Sequence, residues 1–390
     1  MIRERLEPAL RALWFARSPG PAAAVAGALL SPLSRLTARV AARQRARILA
    51  LPEPPVPVVV VGNLVVGGAG KTPLVTAIVS ALAERGWKPA IVASGYGASR
   101  EDARLVGPDD PPETAGDEAL LLAQLSARPV AAGRRRAEAL APLLAAHPEI
   151  DVVVSDDGLQ HAALPRTLEI AVFDRRGAGN GRLLPAGPLR EPLAHLATMD
   201  AVALNGDEAS VPDVPDAATR PAAAAAATAA SSPTGPQTFR FRVVPYRFVR
   251  VDGLGEPLSG AAFRALVESR SPARGAVRLA AVAGIGEPKR LFDTLAGLGL
   301  NPGRRLAPGD HRTIDAATLR ALDVDFVVMT TKDAVKCRRW ADDRCWALEV
   351  RAEPEPGFVD WLDHELREAS LGQTSAGHPG VPDLQGPAEA

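Results

Sequence analysis

The densest chemistry in this chain is a lysine and a threonine set behind three closely spaced glycines: Val58-Val-Val-Val-Gly-Asn-Leu-Val-Val-Gly-Gly-Ala-Gly-Lys-Thr-Pro73. An apolar β-branched run followed by glycines and then proline near a helix start reads as strand, loop and helix. In that context Val65, Val66, Gly67, Gly68, Ala69 and Gly70 turn backbone N–H groups toward an anion, Lys71 adds a mobile charge, and the Thr72 hydroxyl can ligate Mg²⁺. A nucleoside triphosphate is the expected ligand. The match is incomplete: Val65 stands where the strict P-loop pattern has glycine, and Val66 where a deviant form has lysine. A plain glycine turn explains the glycines but not Lys-Thr at the helix start.

Other residues could complete such chemistry. Asp156 and Asp157 end the apolar strand Asp151–Ser155, where a P-loop protein holds its Mg²⁺-side carboxylate. Either one could face the metal while the other bonds to Ser155, Gln160 or His161. Asp117-Glu118 heads an apolar helix; Asp117 is either its N-cap or a base that accepts a proton from an attacking hydroxyl. His311, in Gly309-Asp-His-Arg312, could orient that base or be an ordinary loop residue. The glycine- and proline-dense loop 177–191 carries Arg182, Arg190 and Glu191; arginine there can stabilise a transferring phosphoryl group, and Glu191 can face Mg²⁺.

The elements that must position these groups alternate. Strands are expected at Val58–Val61, Pro89–Ala93, Pro129–Ala132, Asp151–Ser155, Leu168–Asp174 and Asp200–Asn205, with helices at 72–85, 117–127 and 134–146. That order specifies an α/β fold: a mostly parallel P-loop sheet with helices on both faces. Residues 56–206 form this core. Residues 207–237 hold Arg-Pro, an alanine run, Ser-Ser-Pro and Thr-Gly-Pro, and read as a linker. From 238 to 369 a smaller C-terminal α/β lobe follows. It opens with a half-exposed strand pair at Phe239–Val244 and continues with strands at 277–283, 326–329 and 346–350 and helices near 288–298, 313–322 and 358–366. Residues 370–390 read as a disordered tail.

Composition bounds the function. A formal net charge of zero argues against a nucleic-acid binder driven by bulk positive charge. The charge is uneven, however: residues 1–48 hold nine arginines against Glu4 and Glu7, with no lysine or aspartate. Within 1–55, Arg35, Arg39, Arg43 and Arg47 recur four apart on a helix whose other face carries Leu36, Val40 and Ile48, as expected of a membrane-surface helix. A solvated charged face is the alternative. No apolar run reaches the length of a spanning helix. Cys337 and Cys345 are expected as free thiols, and six scattered histidines suggest no metal site by spacing.

Together these segments resemble the tetraacyldisaccharide 4'-kinase family, the lipid A 4'-kinases. The resemblance rests on Gly62–Pro73, Gly95-Tyr-Gly97, Gly116-Asp-Glu118, Ser155-Asp-Asp-Gly-Leu-Gln-His161, Gly179–Pro192, Ala283-Gly-Ile-Gly286, Asp310-His311 and Thr331-Lys-Asp-Ala-Val-Lys336. It runs in family order from about residue 20 to 350. It implies transfer of the ATP γ-phosphate to the 4'-hydroxyl of a tetraacylated glucosamine disaccharide 1-phosphate, giving lipid IVA. It also implies Asp117 as catalytic aspartate, His311 as its support, and Lys71, Thr72, Asp156, Asp157, Arg190 and Glu191 near the phosphates and Mg²⁺. A glycolipid partner, a peripheral site on the cytoplasmic face of the bacterial inner membrane and a monomer are expected.

The sequence departs from the family pattern at four places: Ser94 for the usual arginine before Gly-Tyr-Gly, Arg135 for aspartate, Glu287 for asparagine, and Arg312 for a second histidine. Two rival readings are a P-loop ATPase switch, which predicts the lysine that Val66 replaces, and a soluble small-molecule kinase, which leaves the arginine helix unexplained.

Overall fold

The computed structural model describes residues 10–15, 20–95, 102–212, 235–270, 278–309 and 314–375. His311 and Arg312 lie outside the described residues, as do Tyr96, Gly97 and most of the 207–237 stretch. Twelve strands form one sheet: β1 (Val58–Gly62), β2 (Pro89–Ser94), β3 (Arg104–Val106), β4 (Val130–Gly133), β5 (Val152–Asp156), β6 (Leu168–Asp174), β7 (Ala201–Asn205), β8 (Gln237–Arg250), β9 (Leu279–Val282), β10 (Arg304–Leu306), β11 (Phe326–Thr330) and β12 (Cys345–Pro354). Their order is β10-β9-β11-β12-β8-β7-β6-β1-β5-β2-β4-β3. All neighbours are parallel except β8 with β12 and β3 with β4.

The helices include α1 (Pro21–Leu49), α2 (Lys71–Glu84), α3 (Asp117–Ser126), α4 (Arg136–Ala146), α5 (Gly260–Ser269), α6 (Lys289–Gly297), α7 (Ala316–Arg320), α8 (Thr331–Cys337) and α9 (Pro356–Ser375). The four valines of β1 show how the layers form. Val59 and Val61 join a core with α2, α3 and α9, whereas Val58 and Val60 join one with α4. A strand covered on both faces must be apolar throughout rather than alternating, and β1 is fully buried. Two further cores, one with α5 and α6 and one with α7, enclose β9, β11 and β12.

The C-terminal strands extend the same sheet. The strand pair expected at Phe239–Val244 is instead one strand, β8, which runs parallel to β7 on one side and antiparallel to β12 on the other. Its long-range partner lies about a hundred residues away, beyond what local alternation reveals. The expected tail boundary is also corrected: α9 continues through Ser375, with Ser370 Oγ bonded back to the Leu366 carbonyl.

Helix α1 docks on the core by one face. Ser34 Oγ and Thr37 Oγ1 donate to the carbonyls of Leu183 and Leu184 at 2.8 and 2.7 Å. Ala41 and Ile48 are buried, and Arg45 enters the core to pair with Glu169, donating from Nη1 to Oε1 at 2.7 Å. Ile48 thus belongs to the docked face, not with Leu36 and Val40. Val25, Leu29, Leu33, Leu36 and Val40 stay exposed, Leu29 at 74% and Leu36 at 61%. Their spacing of three and four aligns them on one side of the helix. Arg35, Arg39, Arg43 and Arg47 are exposed as well. Among the described residues no helix is long and apolar enough to cross a membrane.

Candidate active site

The site forms where β1 ends between β5 and β6, and register sets its geometry. Val61 lies beside Asp156 and Gly62 beside Ala171, so the loop after β1 meets the carboxylates after β5. Gly67 and Gly70 hold left-handed φ of 99° and 96°. A Cβ on Gly70 would stand 2.5 Å from Asn205 Nδ2, the atom that fastens the loop by donating to the Ala69 carbonyl at 2.9 Å. Only glycine meets both demands. Buried Asn63 donates through Nδ2 to the Gly67 carbonyl at 2.9 Å and accepts from Lys71 Nζ at 3.0 Å.

The strand-side half of the loop is committed elsewhere. Val66 N–H donates to the Pro188 carbonyl at 3.0 Å and Val65 bridges to Leu189, tying this half to the 183–191 loop. Val66 therefore does not offer its amide to an anion as expected. The glycine turn and the first turn of α2 are left as the candidate anion cradle.

The two aspartates occupy different environments. Asp157, at φ 53°, accepts from Arg190 Nη1 on both oxygens at 3.2 Å and lies 3.4 Å from Lys71 Nζ. Burial opposes its ionisation, yet the charges of Lys71, Arg190 and Arg136 hold it well below the usual carboxylate range. Asp156 accepts from Thr72 Oγ1 at 2.8 Å through Oδ2, while its buried Oδ1 has no hydrogen-bond partner among the described residues. Burial, only partly countered by Lys71, pushes its carboxyl up to about 6. An orphaned carboxylate oxygen beside a threonine hydroxyl fits Mg²⁺, which takes one or two protein oxygens together with phosphate oxygens and water. Among the described residues no cluster of three or more His, Cys, Asp or Glu could hold a metal alone.

The flanking residues divide in role. Arg190 Nη1 also donates to Gln160 Oε1 at 3.0 Å, and Gln160 Nε2 donates to Glu191 Oε1 at 2.7 Å. The other Glu191 oxygen pairs with His195 Nδ1 at 2.9 Å. Both Glu191 oxygens are thus engaged behind Gln160, so this carboxylate braces the Arg190–Gln160 pair and does not face the metal as expected. Arg182 lies against Gly27 of α1, away from the cradle. His161 contacts Arg136; burial, then that neighbouring charge, pulls its imidazole down to about 4, so it is neutral. Arg136 Nε also fixes the Asp156 carbonyl at 3.1 Å.

Asp117 is the first residue of α3, and Gly116, at φ 82°, is the N-cap. It lies 3.5 Å from Lys336 Nζ, and its neighbour Glu118 pairs with Lys332 at 3.2 Å. Sequence reasoning gave these lysines no role. Their spacing of four in Thr331–Lys336 was the available signal, since it puts both on one helix face. Arg176 was missed too: it clasps Asp174 and donates from Nη2 to the Gly68 carbonyl at 3.0 Å. Of the four departures, Glu287 pairs with Arg175 and Arg290, and Arg135 pairs with exposed Glu138.

Cradle, switch-point register and carboxylate at the β5 end define a P-loop protein built for phosphate chemistry. The tetraacyldisaccharide-1-P 4'-kinase family model matches residues 26–367, and the chain belongs to that family. Similar proteins include the tetraacyldisaccharide 4'-kinases of Dechloromonas aromatica, 45% identical over 87% of this chain and 92% of that one, and of Bordetella petrii, 44% identical over 88% and 92%. The fold also matches the crystal structure of the "apo" form LpxK from Aquifex aeolicus in complex with ATP. That match has a TM-score of 0.65 at 23% identity and covers 86% of this chain and 98% of that one.

Proposed function

We propose that this chain transfers the γ-phosphoryl group of ATP to the 4'-hydroxyl of tetraacyldisaccharide 1-phosphate, forming lipid IVA in lipid A biosynthesis. The observation that carries this reading is the Lys71–Thr72 cradle set against Asp156, whose buried Oδ1 has no partner among the described residues. Thr72 and Asp156 would hold Mg²⁺, which would supply positive charge to neutralise the phosphates. Lys71 and Arg190, both anchored on Asp157, face the charge that builds on the transferring group. Asp117 accepts the proton of the sugar hydroxyl as that oxygen bonds to phosphorus; the bond to the β–γ bridging oxygen breaks and ADP leaves. Support of Asp117 by His311 belongs to the same reading.

The exposed Val25–Val40 stripe beside Arg35, Arg39, Arg43 and Arg47 suits a peripheral seat on anionic lipid, the cytoplasmic face of the inner membrane being the proposed surface. Acyl chains then stay in lipid while the sugar head enters the site. The test is transfer of ³²P from labelled ATP to tetraacyldisaccharide 1-phosphate in detergent micelles. The native chain should label the lipid, and Asp117→Asn should lower the rate by about 100-fold or more. Phosphate release independent of acceptor, with no labelled lipid, would replace the kinase by an ATPase switch.

A further inference from the structure

We propose that Lys336 is a positioning residue for the transfer step, holding the Asp117 carboxylate in one orientation from behind. The proposal rests on Asp117 being the group that accepts the hydroxyl proton. The pair is asymmetric: the Lys336 side chain is 5% exposed and that of Asp117 26%, so the lysine lies inside and the carboxylate opens outward. Among the described residues, Lys336 reaches the reaction through Asp117.

Lys336 Nζ is buried and has no hydrogen-bond acceptor among the described residues. A buried ammonium without hydrogen bonds is costly, and its flanking residues, Val335 and Cys337, are buried and apolar. A charge kept at such a position needs a reason beyond packing. The nearest acid on its own helix, Asp333, is occupied: its Oδ2 accepts from Gly284 N–H at 2.9 Å and from Thr330 Oγ1 at 2.6 Å. Those bonds also fix α8, since Thr330 caps the helix through the Asp333 amide. One turn earlier Lys332 engages Glu118, so two lysines on one face of α8 meet the two acids at the head of α3.

The separation of 3.5 Å lies beyond an ordinary charged hydrogen bond. Attraction therefore orients Asp117 without spending the lone pairs needed for the sugar hydroxyl. Because α8 follows β11 and α3 follows the 107–116 segment, the two halves of the sheet complete the base together.

The experiment is a double-mutant cycle in the full chain, reading kcat and the KM for ATP in the micelle assay. Lys336→Met should lower kcat about 10- to 100-fold while leaving the KM for ATP within about twofold, and Lys336→Arg should recover most of that loss. In an Asp117→Asn background, Lys336→Met should cost less than about threefold, because the group it serves is gone. A full-sized further loss in that background, an unchanged kcat in Lys336→Met, or a Lys336→Arg as poor as the methionine variant would overturn the proposal. Lys336→Gln takes the place of methionine if that variant does not fold. Retention of activity by Asp117→Asn alone would instead remove the base assignment on which the cycle stands.

Discussion

Asp156 and Asp157 are adjacent in sequence but face opposite demands, and this difference is measurable. Asp156 is raised to about 6 against an ordinary value of about 3.9, so the nucleotide-free fold favours its protonated form. That contribution to stability is complete below the ordinary value and is lost as pH rises through about 6. Half-buried Asp200, also pushed up to about 6 by desolvation, acts in the same direction. Asp156→Asn removes only its own share. The variant should melt above the native chain at pH 8 without nucleotide or Mg²⁺, with the difference vanishing near pH 4, by scanning calorimetry. Equal melting temperatures at pH 8 would discard the assignment. Binding of Mg²⁺-ATP needs the ionised form and should weaken as pH falls through about 6. At this scale the sequence was readable where chemistry follows a spacing, as in Gly67–Thr72 and Asp156-Asp157. It was silent on Arg176 and on the partner of Lys336, because the fold brings those partners together, and it misplaced Glu191, whose carboxylate is spent on Gln160 and His195.

Element by element, legibility followed length and burial. Five- to seven-residue apolar strands such as β5 and β6 announced themselves. β3 and β10, three residues each at the two sheet edges, carry too little pattern to separate them from loop. For α1 the four-residue repeat of arginines was clear, but which apolar residues dock was not, because Ser34, Thr37 and Arg45 take the docking face. The exposed stripe makes its own prediction. Leu29→Glu with Leu36→Glu should abolish co-flotation with anionic phospholipid vesicles and leave the melting temperature within about 2 °C, since both side chains face outward. Undiminished flotation would assign lipid contact to another surface.

Across the whole molecule, the C-terminal lobe continues the core's sheet, so that twelve strands form one sheet. β7 pairs with β8 in parallel, Ala201 opposite Gln237 and Asn205 opposite Phe241, so the chain leaving β7 must return along the strand, about 17 Å. About ten Gly/Ser residues span that distance. Replacing residues 213–234 with such a connector should leave kcat and melting temperature within about twofold and 2 °C, because pairing rather than the connection holds the strands together. A collapse of either would show that the proposed linker at 207–237 does more than connect.

The bonds from Ser34 and Thr37 to the Leu183 and Leu184 carbonyls join α1 to the loop that carries Arg190. On the proposed reading, a chain seated by α1 searches for its acceptor by diffusion in two dimensions. Turnover would then follow the mole fraction of acceptor within the surface, not its bulk concentration. Adding inert lipid at constant acceptor would slow the reaction, although nothing in the aqueous phase had changed.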